Sequence, residues 1–407
     1  MSGFTPILRS DWLDAPVGLA PIQNGSVTSP DGFVAAGVAC GLKASGDLDL
    51  GVLSATGPVV SWLLDTANAL PSAPVRLNRT HGRDGFQAVV VNAGIANAST
   101  GSGGEEDARR MAELTATELG LGVAQVAVSS TGVIGERLDM QKIPAAIREA
   151  CGQLGPDGGQ RFNQAICTTD RLLKGGAFRV PLAGGEVTLG IAAKGAGMIR
   201  PTMATMLAYV TTDAALAPDD LRVATERAGA ESFNRISVDG QMSPSDTLLV
   251  FASGTGAPLG GEDLARFADC LRAVCRWAAI QMVKDGEGAE HAVHLTVRTA
   301  RDDAEAEAVA RAIAESPLVK TAIFGRDPNW GRISQAVGMA LARSPGAPAE
   351  LGVWLDAIAL DDPAAAALME QAEYDIAVAL GRGTGEYDLW LSDLTHAYVT
   401  LNAEYHT

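Results

Sequence analysis

The stretch that most constrains this chain is "KGAGMIRPTMATMLAYVTTDA", residues 194–214. Its first half, through Pro201, is rich in glycine and built as a loop. Its second half, from Met206 to Thr212, is mostly apolar and built as a buried strand. Between them stand Ala204 and Thr205, a small residue followed by a hydroxyl. The same glycine-rich loop is the best candidate boundary in the chain. A cut there divides it into 1–204 and 205–407, pieces of almost equal length, and the apolar content on both sides predicts that they stay packed together.

The rest of the chain mixes strand and helix patterns in clusters. "FQAVVVN" (86–92), "VAQVAVSSTG" (123–132) and "SDTLLVFASG" (245–254) read as strands, and 177–195 as a hairpin turning at Gly184-Gly185. Helical periodicity runs through 105–120, 140–154 (broken near Pro144), 217–233 and 261–284. "VHLTVRT", then the helix-like "DDAEAEAVARAIAES", then three closely spaced strand candidates between 373 and 402 complete the chain. Hairpins interrupt any strict strand–helix–strand alternation. The fold class predicted is therefore α+β, with layers of helix and mixed sheet in two intimately packed lobes, rather than a doubly wound parallel sheet.

Composition narrows the function. With 407 residues, 47% of them apolar, the chain can bury a substantial core. Lys+Arg number 31 against 48 Asp+Glu, a net charge of −17, and such a surface repels phosphate backbones, so nucleic acid is not an expected partner. No apolar run reaches the roughly 20 residues of a membrane helix, and the N-terminus lacks a basic segment followed by an apolar one. Five cysteines, Cys40, Cys151, Cys167, Cys270 and Cys275, are widely spaced without a CxxC pair and read as reduced thiols, which suits a cytoplasmic protein. Cys270 and Cys275 fall in an apolar helical pattern and read as core. His291 and His294 look like a ligand pair, but in a strand a three-residue offset puts the rings on opposite faces, so no metal is expected there.

A threonine hydroxyl is a weak nucleophile until a base takes its proton. With five histidines and no GxSxG elbow, a serine–histidine–aspartate hydrolase is poorly supported. If the peptide bond before Thr205 breaks, Thr205 gains a free α-amine of pKa about 7.7–8.0, partly neutral near neutral pH and within a few bonds of the hydroxyl. That amine can act as general base directly or through one water. The loop can be strained and released, Ala204 leaves room at the bond, and the strand holds the new terminus in register.

This segment closely resembles the cleavage site of the glutamate N-acetyltransferase/ornithine acetyltransferase family of arginine biosynthesis. "GFVAAGVACGLK" (32–43), "ASTGSGGEEDARRMAE" (98–113), "SSTGVIGERL" (129–138), "AICTTD" (165–170), "FNRISVDG" (233–240), "KDGEGA" (284–289), "SPLVKTAIFGRDPNWGRI" (316–333) and "LNAEYHT" (401–407) resemble family signatures in the family's order, across nearly the whole chain. The resemblance implies a helix/sheet/sheet/helix sandwich, shared with self-processing aminopeptidases. It implies self-cleavage between Ala204 and Thr205 into an α and a β chain, with Thr205 as nucleophile. Thr205 takes the acetyl group of N2-acetyl-L-ornithine and passes it to L-glutamate. Thr131 and Gly132 match the positions that stabilise the oxyanion. Thr168, Lys194, Thr205, Glu287, Asn402 and Thr407 match the substrate contacts, Lys194 suiting a carboxylate and Glu287 an ammonium. Thr407 ends this sequence, and its carboxylate would then line the pocket.

No cofactor is implied, because donor and product are both amides, although acetyl-CoA is an alternative acetyl donor within the family. The implied assembly is an α2β2 tetramer of two cleaved precursors, and the implied partners are small amino acids, not a membrane. The acyl-enzyme must be kept from water, and "FGRDPNWGRI" (324–333) is read either as pocket wall or as a helix-start turn.

Several positions depart from the family pattern: Ile95 in "NAGIANASTG", Gln241, Pro244 and Ser245 in "VDGQMSPSDT", Glu290-His291 after "DGEGA", Thr202 before "MATM", and the loss of basic residues in "LLDTANALPSAPV" (63–75). They put the acceptor range and acetyl-CoA use in question. The alternative reading is a self-processed amidase or aminopeptidase with an N-terminal nucleophile, and a third is an unprocessed, inactive scaffold.

Overall fold

Three β-sheets and the helices that cover them organise the computed structural model, which describes residues 10–200, 206–256, 258–342, 344, 346 and 348–404. The first part of the chain forms β1 (Ala20–Pro21), β2 (Phe33–Val38), β3 (Leu50–Ala55), β4 (Val60–Asp65), α1 (Ala73–His81), β5 (Ala88–Ile95) and α2 (Gly101–Leu119). There follow β6 (Val126–Val133), α3 (Ile143–Gly152), α4 (Gly159–Ile166), β7 (Lys174–Leu182) and β8 (Gly185–Lys194). After the junction come β9 (Leu207–Thr212), α5 (Pro218–Ala230), β10 (Ile236–Ser237), β11 (Thr247–Ala252), α6 (Gly261–Lys284) and β12 (Ala292–Ala300). The last stretch holds α7 (Asp303–Ala314), α8 (Pro317–Phe324), α9 (Trp330–Leu341), β13 (Gly352–Leu355), β14 (Ile358–Ala359), α10 (Ala365–Leu368), β15 (Glu373–Ala379), β16 (Gly385–Ser392) and α11 (His396–Glu404).

The central sheet has the order β1-β7-β8-β9-β11-β4, and a smaller sheet has the order β2-β3-β5-β6. Both are mixed: β9 runs antiparallel to β8 but parallel to β11, and β5 runs parallel to β6. Side chains alternate across each strand, which sorts the core. Val89 and Val91 of β5 face inward with Phe33 and Leu53, meeting Tyr209, Leu249 and Phe251 of the central sheet. Ala88 and Val90 face outward onto Met111 of α2 and Ile143 and Ile147 of α3. The far face of the central sheet, with Ala208, Val210, Leu248 and Val250, packs on Leu221 of α5 and Phe267 and Val274 of α6. The result is the expected helix/sheet/sheet/helix sandwich. β9 is buried at every residue because both of its faces are covered, which is why its sequence is a continuous apolar run.

A third sheet, β10-β16-β12-β15-β13-β14, is backed by α7, α8 and α9 through Val309, Ile313, Val319 and Val337. Since β8 and β9 are neighbours, the pieces on either side of the glycine-rich loop share one sheet.

Two elements differ from the sequence reading. Pro144 does not break a helix at 140–154; it lies in the first turn of α3, where its missing N–H costs nothing. The last of the three strand candidates is the helix α11. Its β-branched residues suit a strand, but the Thr395 hydroxyl accepts the Tyr398 N–H at 3.2 Å and turns the chain into a helix that buries none of its residues. Cys270 and Cys275 are core, as expected, and all five cysteines are free thiols. His291 and His294 engage different carboxylates, Asp393 and Asp375, each through Nδ1. No helix among the described residues is long and apolar enough to cross a membrane.

Candidate active site

The site is built where four strand and helix ends meet the loop 195–200. Lys194 closes β8, and its register partner on β9 is Leu207. Burial would strand its ammonium, but it donates to Thr168 Oγ1 at 2.8 Å and Thr131 Oγ1 at 3.2 Å, with Asp170 Oδ2 at 4.0 Å. Each hydroxyl that accepts from Lys194 keeps its own proton to donate. Thr131 thus sits in front of a buried cation, a favourable place for a donor to a developing oxyanion. Gly132 follows at φ +129°, in register with Gly94 of β5. A Cβ on Gly132 would lie 2.2 Å from the Gly94 carbonyl carbon, so the two strands close here only around glycine.

Two buried carboxylates anchor this arrangement. Asp170 accepts from the Thr168 and Gly195 backbone N–H groups at 2.9 and 2.8 Å and from Lys174 at 2.7 Å. Asp285, at the end of α6, accepts from Lys174 at 2.5 Å and from the N–H groups of Arg171 and Leu172. Burial opposes the charge on Asp170, but Lys174 and Lys194 outweigh it and hold the carboxyl far below its usual range.

Glu287 lines the same cavity as Lys194. Its carboxylate accepts from Thr169 Oγ1 at 2.8 Å and from Asn402 Nδ2 of α11 at 2.9 Å. Gly197 passes directly beneath it: a Cβ there would stand 2.4 Å from the Glu287 carboxyl carbon. Asp239 shapes the loop by accepting the N–H groups of Met198 and Ile199 at 2.5 and 2.9 Å. Burial raises the Asp239 pKa, and the Glu287 charge adds to that.

These groups line a cavity of about 450 Å³, a size ordinary for small-molecule sites. Thr131, Gly132, Thr168, Lys194, Glu287 and Asn402, all expected from sequence, line it together. Thr205, Ala204, Thr407 and the departure at Thr202 lie outside the described residues. Residues 324–333 do not line the cavity; Asn329 instead caps α9 by accepting the Arg332 N–H, so this stretch is the helix-start turn and not pocket wall. Of the departures, Gln241, Pro244 and Ser245 line the cavity, as do Asn68 and Leu70 from the segment without basic residues. Ile95 is half-buried at the end of β5, and Glu290 and His291 bind Asp393 away from the cavity.

Sequence reading missed Thr169, Asp239 and Tyr398. The first two sit inside "TTD" and "VDG", whose acidic residues were the available signal. Tyr398 gave none, because its segment read as a strand.

A family model described as the ArgJ family matches residues 34–407. The chain is 41% identical over 399 residues to the arginine biosynthesis bifunctional protein ArgJ of Symbiobacterium thermophilum, covering 94% of this chain and 99% of that one. It is 39% identical over 399 residues to the protein of the same name from Bacillus subtilis, covering 94% and 97%. Among solved structures, ornithine acetyltransferase of Mycobacterium tuberculosis, complexed with ornithine, is 37% identical over 46% of this chain and 100% of that chain, with a TM-score of 0.42.

Proposed function

This chain belongs to the ArgJ family, and we propose that it transfers the acetyl group of N2-acetyl-L-ornithine to L-glutamate through acetyl-Thr205. It is an acyltransferase of arginine biosynthesis. The observation that carries the residue roles is the convergence of Thr131, Lys194, Thr168, Glu287 and Asn402 on one cavity, with Lys194 in register with Leu207 at the start of the strand that Thr205 precedes.

In this reading the precursor first opens its Ala204–Thr205 bond. The freed α-amine takes the proton of the Thr205 hydroxyl, which attacks the acetyl carbonyl of N2-acetyl-L-ornithine. Thr131 and the Gly132 N–H receive the oxyanion, with the Lys194 ammonium behind Thr131. The tetrahedral intermediate collapses onto Thr205, and ornithine leaves with the proton. Glutamate then enters, attacks the ester, and leaves as N-acetylglutamate. Glu287 suits the side-chain ammonium of ornithine, and the Lys194 region its carboxylate. No cofactor is needed for an amide-to-amide exchange, with acetyl-CoA as an alternative donor. The protein works in the cytoplasm as an α2β2 assembly.

The test is N-acetylornithine turnover with and without glutamate, joined to intact-mass spectrometry. Two fragments, one beginning at Thr205, and ornithine release that depends on glutamate are expected. Thr205→Ala should remain one polypeptide and transfer nothing. Ornithine release indifferent to glutamate would mark the amidase reading instead.

A further inference from the structure

Two arginines four positions apart, Arg272 and Arg276, share one face of α6. Arg227, near the end of α5, and Arg235, just before β10, converge on it. The four guanidinium groups line one cleft of about 420 Å³, with Asp14, Glu231 and Asp269 also in its lining. None of the residues lining this cleft lines the active cavity. Like charges gathered this closely repel, so each calls for a counter-charge.

Three of the four have one. Arg227 pairs with Asp269 at 2.8 Å and with Glu231 at 3.2 Å. Arg272, only 5% exposed, pairs with Asp14 at 2.9 Å and with Glu231 at 3.6 Å. Arg235 pairs with Asp388 of β16. Arg276 instead donates Nε to the Glu231 backbone carbonyl at 3.2 Å, and its guanidinium lies 5.1 Å from the centre of the Trp390 ring. The carboxylates whose charge reaches it are Asp388, held by Arg235 and His294, and Asp14, held by Arg272. Residues outside the described ranges contain no aspartate or glutamate that could pair with it. Burial weighs against the Arg276 charge, Arg272 and Arg235 add to that, and its pKa is lowered.

We propose that this cleft is a binding site for a small oxyanion, a carboxylate or a phosphate, with Arg276 as its principal ligand. A guanidinium fork matches the paired oxygens of either group. A bound anion gives Arg276 a counter-charge and relieves its repulsion by Arg272 and Arg235. The carboxylates in the same lining repel a polyanion, so the site suits one anionic group on a small molecule and not a nucleic-acid backbone. The cleft also spans two parts of the fold. Arg227 and Arg272 belong to the helices that cover the central sheet, while Arg276 and Arg235 reach Trp390 and Asp388 of the third sheet. Occupancy therefore ties the third sheet to the sandwich.

The experiment labels arginines of the purified protein with phenylglyoxal, read residue by residue by peptide mass spectrometry, with inorganic phosphate or succinate added at constant ionic strength. At a probe concentration several times its Kd, labelling of Arg276 should slow about fivefold, as mass action requires. Arg110, exposed on α2, should be labelled at an unchanged rate. The stronger probe identifies the source: phosphate points to a phosphorylated metabolite, succinate to an organic acid. That probe should also raise the wild-type melting temperature by about 1–3 °C. Arg276→Gln, its folding established by circular dichroism, should lose the rise. Arg276→Lys keeps the charge without the fork and should bind the probe about tenfold more weakly.

Labelling of Arg276 that neither probe slows more than it slows that of Arg110 would overturn the proposal. So would a melting rise that survives unchanged in folded Arg276→Gln, since the anion would then be bound elsewhere. If Arg276→Gln does not fold, an unchanged probe affinity in Arg276→Lys would overturn it.

Discussion

A buried ammonium behind a threonine hydroxyl is an electrostatic device. Lys194 is 3% exposed, so its charge acts through a poorly screened medium on Thr131 and Thr168. Thr131→Val keeps the shape of the side chain and removes its donor. The expected outcome is a kcat lowered about 10²–10³-fold with KM nearly unchanged, the usual scale of one lost oxyanion donor, measured by steady-state kinetics on the matured fraction. A KM effect without a kcat effect would place Thr131 in ground-state binding instead. The types of these residues were legible in sequence, because "SSTG", "TTD" and "KDGEGA" stand out as short polar segments. The charges that hold them were not. Lys174, Asp170 and Asp285 are all fully buried in one ion cluster, but Lys174 and Asp285 are 111 positions apart, and no local pattern pairs them.

At the scale of elements, the contrast between β9 and α11 explains which parts of the fold can be read from sequence. β9 is covered on both faces, so hydrophobicity alone declares it. α11 has no buried residue, so no apolar stripe declares it as a helix. It is tied down by single hydrogen bonds: Thr395 Oγ1 donates to the Gly288 carbonyl at 2.7 Å, Tyr398 Oη to Asp239 at 3.4 Å and Asn402 Nδ2 to Glu287 at 2.9 Å. Two of these three partners line the cavity, so the helix contributes more to the site than to the core. Asn402→Ala removes one charge-assisted bond at an exposed position. Its loss should raise the KM for N-acetylornithine several-fold, up to about tenfold, because exposure tempers the usual value of such a bond. The melting temperature should stay within about 2 °C of wild type, since no apolar area is lost. Kinetics and thermal melts on the same preparation check both. A large fall in melting temperature would show that α11 is structural after all.

For the molecule as a whole, the third sheet holds a set of titrating contacts across β12, β15 and β16, beside its junction with the sandwich. His294 of β12 donates or accepts through Nδ1 with Asp375 at 2.7 Å and through Nε2 with Asp388 at 3.2 Å, and it stacks on its cross-strand partner Trp390 at 4.6 Å. Asp375 also accepts Trp12 Nε1 at 3.0 Å, and Trp12 packs in the core between the central sheet and α6. Burial disfavours the His294 charge, but the hydrogen bonds to Asp375 and Asp388 outweigh it and raise the pKa. Burial likewise opposes the Asp388 charge, yet His294 and Arg235 hold its pKa down at about 2. The signs follow from linkage. A raised histidine stabilises fully below its unfolded pKa of about 6.5, and that contribution is lost as pH rises through the folded value. A depressed aspartate stabilises above its unfolded pKa of about 3.9, and that contribution is lost as pH falls toward 2. The two limbs leave greatest support for this cluster between about pH 5 and 6.5. Wild-type urea midpoints should therefore fall between pH 6 and pH 8.5, while His294→Gln, which cannot be protonated, should be less stable at pH 6 and show a much smaller fall. Equal pH dependence in the two proteins would mean that His294 does not tie β12 to β15 and β16 by charge. The stacking on Trp390 and the backbone pairing of the sheet would then have to hold those strands unaided.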